Sequence, residues 1–566
     1  MRCLSCKYLF VYFCFASSIF AIEREKLSQL EQSAVTDALR KHELFRDPSP
    51  QDKKIGKFYF YTEKAIDPKE RLVGWVSKIQ FHTKDSAIKS QLWMKPGDLY
   101  NSNIIIQNEQ TLLNPTVRSF ILILPVQPKL SPSKDTVDLL IVSKDVLSWR
   151  ASYKIAGSSD GLSSFSINLS QTNLLGLNKT VGLSFGLEPQ LVEWGAFYQD
   201  PSLFSTKNQL SAMQGVFLNR AGWGFEGVEG SFQISYPVIV ETVKWGYSAL
   251  FNYNYKPFFD YQGVGIRRFD GLERKYHQFQ LNPSFVLIRS FGKVHKSNIS
   301  FGYGLSYAEY KPLEKVSENF IKNVLPVNEL QSFAIVGYNY FQNKFLALYN
   351  YDTFSVTEWQ RLGPRFSATN HFAWTGIGSD RTFFRPLASF TASVPVTKTG
   401  LFIFSLSGQT RLQLDRSIIN NTLGAELTLV APTIGQFGRF VTEAKFSSIW
   451  DNQNNTQLVL GANSGLRGVP FQFYAGNNLV RANLEFRTTS VQLWLIRLGL
   501  VAFYDFGAAF SSESQFKPTQ DAGIGIRIMV IPWNRIPFRI DVATPFDGPR
   551  RGFNNTQITF GFGPAF

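Results

Sequence analysis

The last eleven residues, TQITFGFGPAF (556–566), decide how the rest of the chain is read. Successive side chains of an extended strand point to opposite faces. Thr556, Ile558, Phe560, Phe562, Pro564 and Phe566 therefore share one face, and Gln557, Thr559, Gly561, Gly563 and Ala565 share the other. One face is apolar and aromatic and the other is small or polar, the pattern of a strand with lipid outside and a polar lumen inside. Upstream, Leu479–Thr488, Leu498–Phe510, Ala522–Val530 and Pro537–Pro545 are segments of the same kind, separated by Gly, Asn, Asp and Pro. From Trp149 onward the helical periodicity vanishes and short alternating segments recur. Residues 148–566 are thus expected to form an all-β transmembrane barrel. About ten residues per tilted crossing give room for about sixteen antiparallel strands with long loops.

Composition agrees. Charged residues make up only 18% and aromatics 15%, with 52 Phe and 42 Gly. A chain this poor in charge and rich in strand and turn formers is neither disordered nor a coiled coil. Beyond the first residues no run of 18 apolar residues occurs, so membrane-spanning helices are excluded. A closed barrel satisfies its backbone hydrogen bonds internally and remains allowed. Cys3, Cys6 and Cys14 all lie in residues 1–21, which read as a signal peptide. Arg2 and Lys7 supply positive charge, Tyr8–Ala16 an apolar core, and Ala16-Ser17-Ser18 and Phe20-Ala21 small residues for cleavage. Its removal leaves a chain without cysteine, which excludes a disulfide scaffold and Cys-ligated metal sites. The net charge of +15 falls by two with Arg2 and Lys7. In an exported chain such charge points to anionic lipid headgroups or polypeptides rather than nucleic acid.

Between the signal and the barrel two stretches differ. Residues 22–71 read as a helix, with Leu27, Leu30, Ala34 and Ala38 at helical spacing, followed by a linker containing Pro48, Pro50 and Pro68. The helix is either a solvated lead segment, a movable plug or a partner-binding element. Residues 72–147 read as a small α+β domain: a strand over Val73–Phe81, helices over Asp85–Met94 and Ser102–Leu113, and strands over Val117–Gln127 and Thr136–Lys144. A sheet covered on one face by two helices is the expected arrangement, and any of the three strands could offer an open edge.

Several of these pieces resemble one family. The β-α-α-β-β order, with KPGDLYN (95–101) at its centre, is similar to a polypeptide-transport-associated (POTRA) domain. NLSQTNLLG (168–176) is similar to the second barrel strand of the BamA/TamA superfamily of outer-membrane assembly and translocation barrels. Leu466-Arg467-Gly468 resembles that superfamily's VRGY/F motif on the sixth extracellular loop, although Val469 stands where an aromatic is usual. Phe503-Tyr504-Asp505-Phe506-Gly507 resembles its F-x-D-x-G strand motif, and a terminal Phe, here Phe566 with Phe562 before it, is the usual end of bacterial outer-membrane barrels. The resemblance implies that the motif loop joins strands 11 and 12 of sixteen, with five strands after it and Asp505 on the second of them. It also implies an outer-membrane location with the small domain in the periplasm. The implied function is insertion or translocation of other polypeptides, without cofactor or metal. The implied partners are outer-membrane lipids, unfolded or extended client chains and periplasmic chaperones or accessory subunits. A two-partner-secretion type transporter, whose plug helix the N-terminal helix and proline linker resemble, is the first alternative. A passive pore or structural surface antigen is the second.

The residues support a pairing independently. Arg467 lies between Gly465 and Gly468 in a loop able to fold back. A guanidinium confined in a lumen needs a carboxylate, because an unpaired charge there is costly. Asp505 is the natural partner, and Gly507 beside it lets the loop approach the wall. Enzyme constellations are weak. Gly157-Ser158-Ser159-Asp160-Gly161 matches G-x-S-x-G, but strand-like residues flank both sides, where a nucleophile elbow needs a helix after the Ser. It reads as a hairpin turn. The five histidines show no metal spacing, and no phosphate-cradling loop is present. No catalytic residue is assigned. The protein is expected to fractionate with the outer membrane and to migrate differently on gels with and without heating in detergent. Recovery as a soluble periplasmic protein would contradict this architecture.

Overall fold

The structure, a computed structural model, describes Leu27 and residues 29–65, 80–114, 116–158, 161–262, 265–348, 351–354, 358–462, 464–530, 536–548 and 551–563. The signal segment, most of Val73–Phe81 and the terminal Phe566 lie outside these residues.

The small domain is built around KIGKFYFYTE (54–63), a segment apolar on both faces. Phe58 and Phe60 join one core, and Tyr59 and Tyr61 join the other. A strand covered on both sides shows no clean alternation, so it reads as linker in the sequence. In the structure it is the second strand of the sheet in chain order. In chain order the elements are α1 (Gln29–Lys41), β1 (Leu44–Arg46), β2 (Lys54–Glu63), α2 (Asp85–Gln91), α3 (Ser102–Leu112), β3 (Arg118–Pro128) and β4 (Thr136–Asp145). The sheet order is β1-β3-β4-β2, with β2 parallel to β4 and the other pairs antiparallel. Among the described residues the order β2-α2-α3-β3-β4 holds with Lys54–Glu63 as a strand where a linker is expected, helices cover both faces rather than one, and the strand expected over Val73–Phe81 lies almost wholly outside those residues. Ala34, Val35 and Ala38 of α1 pack on Leu122, Leu124, Leu140 and Val142. Ile88 and Leu92, in and just after α2, and Ile105 and Leu112 of α3 pack on Ile121, Ile123, Leu139 and Ile141. Each such buried Val, Leu or Ile side chain contributes about 1.5–3 kcal/mol relative to exposure. The N-terminal helix is therefore part of the sheet unit, not a free lead segment or lumen plug. β3 and β4 are interior, so among the described residues the edge strands are β1 and β2, and the start of β2 is bonded by the 97–100 turn, with Ile55 N donating to Asp98 O (2.7 Å) and Gly97 N to Ile55 O (2.8 Å).

The barrel has twenty wall strands among the described residues, not sixteen. The first ten are β5 (Trp149–Ser158), β6 (Gly161–Leu174), β7 (Lys179–Leu187), β8 (Leu191–Asp200), β9 (Gln209–Asn219), β10 (Phe225–Tyr236), β11 (Trp245–Phe259), β12 (Lys275–Phe291), β13 (His295–Pro312) and β14 (Glu329–Gln342). The second ten are β15 (Gly363–Ala373), β16 (Phe383–Thr397), β17 (Gly400–Gln413), β18 (Ile418–Val430), β19 (Gly438–Trp450), β20 (Asn478–Thr488, prolonged by Val491–Leu493), β21 (Ile496–Phe510), β22 (Thr519–Val530), β23 (Phe538–Pro545) and β24 (Gln557–Phe562). All wall pairings are antiparallel. Residues allotted to long loops in the sixteen-strand reading form four further strands instead. Alternation holds where the sequence showed it: Ile558 is half exposed on the outside, while Gln557 and Thr559 are buried on the inside. G-x-S-x-G falls on the β5–β6 hairpin, where Ser158 pairs with Gly161. One short helix, α4 (Glu318–Val324), interrupts the all-β region in a loop.

β5 leaves the small domain, so its start and the turns after even-numbered strands lie at the near rim. The small domain is seated there. NLSQTNLLG carries the joint: Asn173 Nδ2 donates to Thr83 Oγ1 (3.0 Å) and Phe81 O (3.2 Å), and Lys84 N donates to Gly176 O (2.9 Å). Gly176 has φ +75°, and a Cβ there would lie 2.2 Å from His82 O, so only glycine fits. Thr83 in turn donates its N–H and hydroxyl to Asp145 (2.9 and 2.7 Å). Lys207, in the turn after β8, donates to Ser90 O and Leu92 O and sits over the Trp93 ring. Burial pulls its ammonium down to about 8. Asn173→Ala should leave Asn178 N and the Thr83 side without their acceptor and donor, weakening the seat by about 1–3 kcal/mol. Hydrogen exchange should then quicken at residues 80–84 while the barrel strands stay protected. Unchanged protection there would place the joint elsewhere.

Candidate functional site

The loop from 451 to 477, between β19 and β20, starts at the far rim and folds back into the lumen. A short ladder, Leu458–Leu460 with Tyr474–Gly476, stiffens its stem. Leu460, Leu466 and Val469 bury against Leu479 and Ala509 of the wall. Val469 is only 1% exposed, so the aliphatic residue in the expected aromatic position is packed rather than left at a loop tip. The loop joins the fifteenth and sixteenth strands, not the eleventh and twelfth. Five strands still follow it, and Asp505 still lies on the second of them. The four additional strands all precede the loop.

Gly465 takes φ +94°, a left-handed turn that aims Arg467 at the wall. Arg467 is 1% exposed and Asp505 is fully buried. The guanidinium grips Asp505 with two parallel bonds, Nε to Oδ2 at 2.7 Å and Nη2 to Oδ1 at 2.8 Å. Such a fork matches carboxylate geometry, which lysine cannot do. Its third corner, Nη1, donates to Glu485 Oε1 at 2.5 Å and lies 3.6 Å from Asp541 Oδ2. Its Cζ stands 3.5 Å from the centroid of the Phe503 ring, a cation–π contact. Gly468 N donates to Asp521 Oδ2 at 2.8 Å, and a Cβ on Gly468 would lie 2.5 Å from Asp521 Cβ. Asn483 Nδ2 bridges Gly465 O (2.6 Å) and Asp505 Oδ1 (2.7 Å). Gly507 lets Leu460 of the stem approach, since its Cβ would sit 2.7 Å from Leu460 Cδ2.

The structure thus brings together Arg467, Asp505, Leu466, Gly468, Phe503 and Gly507. It does not bring Phe562 to this site: that residue lies at the seam, against Tyr153 of β5 (ring centroids 5.6 Å) and Phe538 of β23 (5.4 Å). Sequence reasoning missed Glu485, Asp521 and Asp541. Each falls on the inward face of β20, β22 or β23, beside an outward Leu484, Ile524 or Val542. A carboxylate on the polar face of an alternating segment was the available signal, but many lumen residues share it.

No family model matches the sequence, and neither does any curated protein. The chain's structural neighbours are outer-membrane barrels. It is similar to BamA from Haemophilus ducreyi lacking POTRA domains 1–3, with a TM-score of 0.30 and 12% identity over 95% of this chain and 94% of that one. It is similar to CdiB from Acinetobacter baumannii, with a TM-score of 0.40 and 12% identity over 94% and 80%, and to CdiB from Escherichia coli, with 0.41 and 11% over 94% and 83%.

Removing one partner of a buried ion pair strands the other, at a typical cost of about 3–5 kcal/mol. Arg467→Ala and Asp505→Ala are each expected to lower the temperature at which the folded gel band is lost, without abolishing the barrel. Because the two act as one interaction, the double substitution should cost little more than either alone. Strictly additive losses would show that the two side chains do not depend on each other.

Proposed function

We propose that the protein inserts other polypeptides into the outer membrane, with the sheet domain facing the periplasm. One observation carries this reading: among the described residues the barrel closes through a seam shorter than its other ladders. Among the described residues β24 meets β5 at Ile558↔Gly157, Thr559↔Ala156 and Phe560↔Ile155 only. By comparison β11 and β12 pair continuously over Trp245–Phe259. Below the three pairs the start of β5 has no ladder partner on the β24 side among the described residues, and the contact there is aromatic, Tyr153 against Phe562 and Phe538. Few ladder bonds make this the wall's weakest line, and an unpaired strand edge is a template for another strand. The lumen beside it is occupied by the Arg467 loop, which favours a lateral route over passage through the pore.

Clients are extended or unfolded chains, recognised by main-chain pairing at a sheet edge. In the small domain the edge of β2 beyond Ile55, up to Glu63, has no ladder partner on its outer side among the described residues and suits that role, in place of the interior strands. Chaperones or accessory subunits would deliver the clients. Two-partner secretion has less support, because the N-terminal helix lies on the sheet and not in the lumen.

The seam register names the test. Ile155→Cys with Phe560→Cys, and Ala156→Cys with Thr559→Cys, place cysteines on directly paired residues. Cα atoms of such pairs are about 4.5–5.5 Å apart, within reach of a disulfide. The chain beyond residue 21 has no other cysteine. Oxidation should stop insertion of a urea-unfolded eight-stranded barrel into proteoliposomes, and reduction should restore it. A fully formed staple with wild-type insertion would rule out the seam.

A further inference from the structure

The connection from 343 to 362, between β14 and β15, starts at the near rim, where the other described turns are short. Among its described residues, Phe345–Leu348 pairs as a hairpin with Glu358–Arg361, in the register Phe345↔Arg361 to Leu348↔Glu358. The carboxylate of Glu358 closes the tip. It accepts from Tyr351 N (3.2 Å), Asp352 N (2.9 Å), Thr353 N (3.0 Å) and Thr353 Oγ1 (2.8 Å). These bonds hold residues 351–353 in place. Its apolar residues face into the barrel. Leu348 is buried with Leu401 of β17, Val430 of β18 and Val441 of β19, and Leu346, Tyr351 and Leu362 join them. Those wall residues alternate with outward-facing Phe402, Leu429 and Phe440, so they line the lumen. Phe354 reaches β21, where a Cβ on Gly499 would lie 2.7 Å from its Cζ.

Glu485 and Arg487 share the inward face of β20. Glu485 Oε1 accepts from Arg467 of the far-rim loop (2.5 Å), and its Oε2 accepts from Arg487 Nε (2.7 Å). Arg487 Nη1 then donates to Tyr351 O (2.9 Å) and lies 3.8 Å from Asp352 Oδ1. Two segments entering from opposite rims thus meet on two residues of one strand.

We infer that the 343–362 hairpin is a near-rim plug of the lumen, interlocked through Arg487 and Glu485 with the Arg467 loop, so that the two segments hold the pore shut together. A barrel of this strand number encloses a lumen that side chains alone do not fill, and the hairpin narrows its mouth. This extends the proposed function, since a shut pore leaves clients the lateral route. Conductance is measured with no client present, so failure of the plug and failure of the insertion reading are separate results.

The test is ion conductance of the full chain in planar bilayers, restricted to preparations that show the heat-dependent gel shift. Replacing residues 345–361 with a short Gly-Ser linker should raise the dominant conductance about threefold or more, because pore width sets it. Arg487→Ala should keep the barrel and raise the frequency of brief openings, with Arg487→Lys restoring part of the closure. Phe354→Cys with Gly499→Cys, joined by a short reducible bifunctional thiol reagent, should suppress openings until reduction. Wild-type conductance after the hairpin is replaced would overturn the plug. Openings in Arg487→Ala that match wild type would overturn the interlock.

Discussion

The structure turns on one buried guanidinium. Arg467 has left water at the bottom of an inward-folded loop, and a cation there is tolerated only if every donor finds an acceptor. The wall supplies Asp505 as a two-point partner and Glu485 at the third corner. Around it four consecutive strands each point a carboxylate inward: Glu485, Asp505, Asp521 and Asp541. Arg487, Arg527 and Arg539 pair with Glu485 and Asp541, with Arg527 Nη1 2.6 Å from Asp541 Oδ1 and Arg539 Nη1 3.2 Å from its Oδ2, while Asp521 accepts from Gly468 N. The loop is held by this network, and the network gains its low-dielectric strength because the loop covers it.

The barrel is asymmetric as a consequence. The stretch from β20 to β23 is tied across its inner face by ion pairs and by the loop. The join from β24 to β5, next to it, has three ladder pairs and an aromatic contact. Backbone ladders are the main cohesion of a barrel in lipid, since no water replaces a lost bond there. A rigid sector beside a weak line concentrates any opening at that line. The small domain is seated against turns of the first half of the barrel, through Asn173, Lys207 and Glu241.

Much of this was legible in the sequence. The alternation of 556–566 and of its upstream counterparts gave the lipid and lumen faces, because period two is a local property of a strand. The Arg467–Asp505 pair was legible for a different reason. Two glycines beside an arginine, and an aspartate on a polar strand face, are each a demand for a partner of the other kind. The strand total was not legible. Barrel strands and their loops share the same residue types, and the rim between them is set by where the ladders end. The strand Lys54–Glu63 reads as linker, and the helix Gln29–Lys41, legible as a helix, is not joined to the sheet by sequence alone, because their partners are remote in sequence. Tyr59 and Tyr61 look like linker aromatics until α1 covers them.

The sequence by itself determined the class of wall, the inward and outward faces, the motif loop and the residue at its tip. Those follow from local periodicity and from the chemistry of single side chains. Tertiary structure alone decided that Glu485 is shared between Arg467 and Arg487, and that the hairpin at 343–362 turns into the lumen. It also decided that the wall closes on Ile155, Ala156 and Gly157. These are matters of register between segments up to several hundred residues apart, and register is fixed only when twenty strands close one ring with a common shear.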